Sequence, residues 1–281
     1  MTAPLYVNDI DKSYANRKVL EHIDLSLVPG EIFGLIGLNG AGKTTLIKII
    51  LDLIDAESGS ADIFGIASTN LNSRRKLSYL PEKFQPSRYL KGMEYLDLAL
   101  SYYGKKLDVE QAREYALKLD LNPAVLETRV GSYSKGMGQK LGLLGAFLVD
   151  ANLLVLDEPM SGLDPSARIK LKDMLLDSKR QGKTIFFSSH ILSDLDEICD
   201  RIGVIHNGKL VFTGVPADFK KKFFRTVAGK SLPAFHPIKG SCQVRRRGIR
   251  LVISYCLMAS LTLAGLSDSP AATSAEIAPF I

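Results

Sequence analysis

The chain has 281 residues, 46% of them apolar, enough to bury a sizeable core in one large domain or in one domain with an appendage. Its formal net charge of +6 is unevenly placed: from Lys220 onward ten Lys/Arg stand against two Asp/Glu, while residues 1–219 hold 26 against 28. The body therefore has no electrostatic footprint for nucleic acid, and no nucleic-acid partner is expected. Cys199, Cys242 and Cys256 fall in no disulfide or metal-binding spacing and suit a reducing compartment. The start, Met1-Thr2-Ala3-Pro4-Leu5-Tyr6, lacks the basic and apolar zones of a secretory signal, so the chain is expected to stay in the cytoplasm.

In chain order, residues 5–36 alternate polar and apolar positions around turn signals such as Pro29-Gly30, which predicts several short strands. The last of these, Ile32 to Ile36, is a continuous apolar run and reads as buried. Gly37-Leu38-Asn39-Gly40-Ala41-Gly42-Lys43-Thr44 then fits the pattern G-x-x-x-x-G-K-[ST], and a helix is predicted from Thr44 to Leu53. Glycine at these positions lets the backbone curl with its N–H groups inward, where they grip phosphate oxygens, and the helix N-terminus adds partial positive charge. Lys43 is placed for the β- and γ-phosphates of a nucleotide and the Thr44 hydroxyl for Mg²⁺.

A strand is predicted at Ala61–Phe64. From about Phe84 to Val149 the apolar residues recur at helical spacing, as in Tyr95, Leu98, Ala99 and Tyr102 and again in Ala112, Tyr115, Ala116 and Leu119. This predicts a helical insertion. Its last helix runs from Ser134 to Leu148, with Ser134 a good N-cap. Leu153-Leu154-Val155-Leu156 reads as a central parallel strand covered on both faces. Asp157 and Glu158 follow at its carboxyl end, where open α/β sheets bind ligands. Asp157 suits a phosphate-bound metal and Glu158 the acceptance of a proton from an attacking water. Further helices are predicted at Pro165–Lys179 and Leu192–Cys199, with a strand at Thr184–Phe187 between them. Arg201 to Ile205 and Lys209 to Thr213 flank His206-Asn207-Gly208 as a closing hairpin.

With these residues in hand, residues 5–222 resemble the ATP-binding-cassette (ABC) family of transport ATPases. Tyr14 matches the aromatic residue that stacks on adenine, Tyr133-Ser134-Lys135-Gly136-Met137 the signature sequence, Ser161-Gly162-Leu163-Asp164 the D-loop, and Ser188-Ser189-His190 the switch histidine. The resemblance implies a phosphate-loop NTPase core with a mixed, largely parallel sheet, an N-terminal antiparallel β-subdomain and an inserted helical subdomain at about 84–149. It implies that Gly37, Asn39, Gly40, Ala41, Gly42, Lys43, Thr44 and Thr45 hold ATP, and that Ser134 and Gly136 meet the γ-phosphate of an ATP held by a second copy. Thr44, Asp157 and Glu82 are the expected Mg²⁺ ligands, and Glu158, Lys43 and His190 the catalytic set. Glu82 stands where the family usually has glutamine, Lys135 where it has glycine and Met137 where it has glutamine; these departures resemble the exporter branch. Gly138 lies where a basic residue is common and weakens the start of its helix.

The implied partners are a second nucleotide-binding domain and a separate membrane permease, which would hold the chain at the cytoplasmic face of the membrane. A short permease helix is expected to dock near Phe84, Tyr89, Leu90 and Met93. The rival reading is a soluble ABC ATPase acting on ribosomes or DNA, but such proteins resemble tandem cassettes or carry long coiled coils, and neither feature is present here.

The resemblance stops near Lys222. In residues 223–281, Arg245-Arg246-Arg247-Gly248-Ile249-Arg250 precedes an apolar stretch, Leu251 to Leu266, shorter than the about 18 residues of a membrane helix. Three readings of this tail stay open: a poorly ordered or weakly docked segment, the product of a shifted reading frame, or a short anchor with its basic side in the cytoplasm.

Overall fold

The computed structural model describes residues 2–224. The expectations for the tail, 223–281, lie outside the described residues, apart from the last turn of a terminal helix. Two sheets carry the architecture. The first is antiparallel and contains β1 (Leu5–Tyr14), β2 (Arg17–Ser26), β4 (Ser58–Ile63) and β5 (Ile66–Ala67), in the order β2-β1-β4-β5. Where short strands were expected, β1 and β2 are ten residues each. Their pairing shifts register near Asp9 and His22, both of which take positive φ. Such irregular positions break the period-2 pattern, which is why each strand reads as shorter pieces in the sequence.

The second sheet has six strands in the order β10-β9-β3-β8-β7-β6. These are β3 (Ile32–Ile36), β6 (Leu77–Leu80), β7 (Leu153–Leu156), β8 (Thr184–Ser189), β9 (Arg201–His206) and β10 (Lys209–Gly214). Pairings are parallel except between β9 and β10, which close the sheet through the expected hairpin, with Asn207 and Gly208 both at positive φ.

The central strands are buried end to end because both faces are covered. Phe33, Leu35, Leu153, Val155 and Phe186 point to one core, shared with the first sheet and with Leu46, Ile47 and Ile50 of α1 (Lys43–Ile50). The alternate residues Ile32, Ile36, Leu154, Leu156, Ile185 and Phe187 point to a second core. Helices α4 (Lys135–Leu148), α5 (Pro165–Arg180) and α6 (Leu192–Asp196) cover that side. Helix α7 (Pro216–Phe224), absent from the sequence prediction, closes against β10 through Phe219 and Phe212, whose ring centroids lie 5.3 Å apart.

Within 84–149, α2 (Gly92–Ser101) and α3 (Val109–Lys118) pack on α4. Of the expected α3 stripe, Ala112, Ala116 and Leu119 are buried and Tyr115 is partly buried. On α2 the stripe is shifted: Leu96 and Leu100 are buried, while Leu98 is exposed and Tyr102 is 81% exposed. A short helix with apolar residues on two sides offers two candidate faces, and packing against α4 selects the one carrying Leu96.

The topology decides where chemistry collects. Gly37 follows β3, Glu82 lies two residues beyond β6, Asp157 follows β7 and His190 follows β8. All four strands are parallel and adjacent, so these residues emerge along one edge of the sheet.

Candidate functional site

The loop between β3 and α1 is shaped by glycine at two points. A Cβ on Gly37 would sit 2.7 Å from the Ile205 carbonyl oxygen. Gly42, at φ 113°, would bring one to 2.9 Å from the Val19 carbonyl. No larger residue fits either position without moving backbone. Gly42 is also the N-cap of α1 and provides no side-chain acceptor, whereas α3, α4 and α5 are capped by Asp108, Ser134 and Asp164. The first N–H groups of α1 thus have no side-chain cap and suit an anion.

Lys43, the first residue of α1, is only 6% exposed. Its Nζ donates to the Gly37 carbonyl at 2.7 Å and lies 3.1 Å from Oε1 of Glu158. The other Glu158 oxygen, Oε2, lies 2.9 Å from Nδ1 of His190. One carboxylate therefore joins the phosphate loop to the end of β8. Glu158 takes φ 50°, a left-handed backbone that costs a non-glycine residue about 1–2 kcal/mol. This turn sends Asp157 and Glu158 different ways. Asp157 is fully buried, and its Oδ1 accepts from the Ser188 hydroxyl at 2.5 Å. Burial raises its pKa, while the hydroxyls of Ser188 and Thr44 pull it down.

Tyr14, Asn39, Gly40, Gly42, Lys43, Thr44, Thr45, Glu82 and Glu158 line one cleft of about 460 Å³. Gly37 and Ala41 stand behind it as backbone: the Gly37 carbonyl receives Lys43, and the Ala41 carbonyl accepts from Gly208 N–H at 3.3 Å. The Tyr14 ring is half exposed at the cleft mouth, with the Lys12 ammonium 5.5 Å from its centroid. Ser134 does not line this cleft. It lines a neighbouring groove of about 1250 Å³, which shares Glu82 with the first. Its Oγ caps α4 by accepting from Met137 N–H at 3.2 Å, and a Cβ on Gly136 would lie 3.1 Å from the Gly162 carbonyl. The predicted site residues thus fall into two groups on one chain.

The ABC transporter family model matches residues 20–161, just over half of the chain. The chain belongs to the ABC transporter family. An ABC transporter ATP-binding protein of Synechocystis is 39% identical over 213 residues, 73% of this chain and 59% of that protein. The cassette thus spans about three fifths of that relative's length. The bacitracin transport ATP-binding protein BcrA of Bacillus licheniformis is 35% identical over 230 residues, 79% of this chain and 72% of BcrA. The structure of an ATP-binding subunit of an ABC transporter matches with a TM-score of 0.71 and 33% identity, over 81% of this chain and 95% of that one. A dimeric ATP-binding cassette solved with ADP and Pi shares the fold at a TM-score of 0.68 and 20% identity, over 75% of this chain and 98% of that one.

This ABC cassette contains cleft residues that sequence reasoning passed over. Arg17 and Val19 line the same cleft as Tyr14. Arg17 pairs directly with Tyr14 across the β1–β2 hairpin, a relation hidden when the two strands read as short pieces. Ser188 carries no sequence signal beyond its place before His190, yet its hydroxyl bonds to both Asp157 and Glu158 beyond the end of β7.

The set also fits a divalent cation. Asp157 Oδ2 is buried without a well-formed hydrogen bond among the described residues, Thr44 lies beside it, and Glu82 lines the same cleft. Carboxylate and hydroxyl oxygens are the donors that Mg²⁺ takes.

If Tyr14 stacks on a base, Tyr14→Ala will weaken ATP binding by about 1–3 kcal/mol and Tyr14→Phe will leave it unchanged. Equilibrium titration of both variants decides this, and equal affinity in the two would remove the ring from the site.

Proposed function

We propose that this cassette is the ATP-binding and ATP-hydrolysing subunit of an exporter, driving a separate permease by closing on a second cassette over ATP. The observation that carries the reading is the triad in which Glu158 bridges Lys43 and His190 at the mouth of the phosphate loop. ATP lies along the Gly37–Thr45 loop, its triphosphate against the backbone N–H groups and Lys43. Mg²⁺ would be held by Thr44 and Asp157, with Glu82 ligating it directly or through a water, and would supply neutralisation of charge on the phosphate oxygens. Glu158 accepts the proton of the attacking water, while His190 and Lys43 fix its carboxylate on both sides. Ser134 and Gly136 are set apart from this cleft, so they serve the partner's ATP, and the partner's equivalents complete this one. ATP then acts as the adhesive between two copies, and its cleavage releases them.

Export is supported by the exporter-like residues Glu82, Lys135 and Met137 and by the relative named for bacitracin transport. No helix among the described residues is long and apolar enough to cross a membrane, so transport requires membrane spans from elsewhere. Of the residues expected to meet a permease helix, Tyr89 is the most open, while Phe84, Leu90 and Met93 are partly buried. The Tyr89 ring is 85% exposed, whereas Phe84 stacks edge-on to Tyr95 at 5.3 Å and Met93 packs against the core. Purification of the full chain from detergent-solubilised membranes is expected to bring down a multispanning protein. Recovery with ribosomes or DNA instead would replace the exporter reading with the soluble one.

A further inference from the structure

The two acids at the end of β7 are adjacent in sequence but face different tasks, and something must hold them apart. β7 stops pairing with β8 at Leu156 and Phe187. Beyond that point the Asp157 N–H still finds the Leu80 carbonyl at 2.9 Å, but the Glu158 N–H has left the ladder because the chain turns through φ 50°. Ser188 supplies the missing partner. Its Oγ, fully buried, accepts from Glu158 N–H at 2.9 Å and donates to Asp157 Oδ1 at 2.5 Å.

A hydroxyl has one proton. Because Glu158 N–H can only donate, that proton is committed to Asp157, and the direction of both bonds is fixed. One buried oxygen thereby sets the orientation of the Asp157 carboxylate, leaving Oδ2 for a cation, and stabilises the left-handed turn that aims Glu158 at Lys43 and His190. A residue without a hydroxyl at this position leaves a buried N–H unpaired and the carboxylate free to rotate. Ser189, the next residue, is also buried, but among the described residues its hydroxyl bonds only locally, to the N–H and carbonyl of Ile191.

We propose that Ser188 is a positioning residue that holds Asp157 for the cation and Glu158 for the water through one shared hydroxyl. The proposal rests on the roles given above to Asp157 and Glu158. Ligand-orienting groups of this kind are worth about 10–100-fold in metal affinity or activity.

The test compares the full-length wild type with Ser188→Ala, Ser188→Thr and Ser189→Ala. Two readouts are taken: kcat and KM for ATP, and ATP affinity measured by titration calorimetry in Mg²⁺ and again in chelator. Ser188→Ala is expected to lose most of the gain in ATP affinity that Mg²⁺ confers, with KM for Mg-ATP rising in step, and to lose about tenfold or more in kcat. Ser188→Thr keeps the hydroxyl and should restore both, and Ser189→Ala should alter neither. An unchanged Mg²⁺ gain in Ser188→Ala, or an equal loss in Ser189→Ala, would overturn the assignment. The calorimetric readout stands whether or not ATP is hydrolysed, so a wild type that binds Mg-ATP without turnover would count against the hydrolytic function and leave the Ser188 comparison decisive.

Discussion

Glu158→Gln is expected to keep ATP bound while turnover falls by about 10²–10⁴-fold, the range for loss of a general base. The substitution preserves shape, and an amide still meets Lys43 through its oxygen and His190 through its nitrogen, so the geometry recorded at 3.1 and 2.9 Å survives. What disappears is the capacity to take a proton from water. With cleavage blocked, the closed pair of cassettes should accumulate, and size-exclusion chromatography in Mg-ATP should show a dimer that the wild type holds only transiently. The change also removes the negative charge that pairs with Lys43, which favours phosphate at that ammonium and leaves ATP affinity at least as high as before. Hydrolysis at the wild-type rate would take Glu158 out of the chemistry altogether.

Lys43→Ala is expected to act a step earlier. Its ammonium is buried between the Gly37 carbonyl and Glu158, inside the loop that would wrap the phosphates. Loss of a hydrogen bond to a charged group costs about 1.5–3 kcal/mol, so ATP affinity should fall by that amount and hydrolysis should drop below detection. The same substitution strips Glu158, only 8% exposed, of its cation. Breaking a buried pair from one side is destabilising, and a lowered melting temperature by circular dichroism is therefore part of the expected result. Titration well below that temperature separates lost binding from lost fold. ATP binding at wild-type strength would contradict the placement of the triphosphate against Lys43.

The elements that carry the site were the most legible in the sequence. β3, β7 and the Ile185–Phe187 part of β8 are apolar runs because both faces of the central sheet are covered, and they lead at once into Gly37, Asp157 and the Ser188–His190 stretch. The order of motifs then points to the family, and the roles proposed for Tyr14, Ser134 and Gly136 rest on that resemblance. The β1–β2 hairpin was less legible, since Asp9 and His22 at positive φ interrupt the alternation that marks a strand, and the neighbourhood of Arg17 and Tyr14 was lost with it. On α2, apolar side chains on two faces left the buried one to be chosen by contact with α4. Ser188 is the least legible of the site residues. A serine at the end of a strand carries no signal of its own, and its importance comes from the partners that β7, one strand away in space and thirty-one residues away along the chain, brings to it.

The separation of Ser134 and Gly136 from the cleft of Lys43 and Glu158 makes the central claim testable by mixing. Two inactive chains, Lys43→Ala and Gly136→Asp, are combined in equal amounts and assayed for ATP hydrolysis. A mixed pair contains one composite site in which an intact Lys43 from one copy faces an intact Ser134 and Gly136 from the other. The account predicts that activity returns on mixing and fades on dilution as the pairs dissociate. Silence in the mixture, or wild-type hydrolysis that is unchanged when the protein is diluted to a strict monomer, would contradict it.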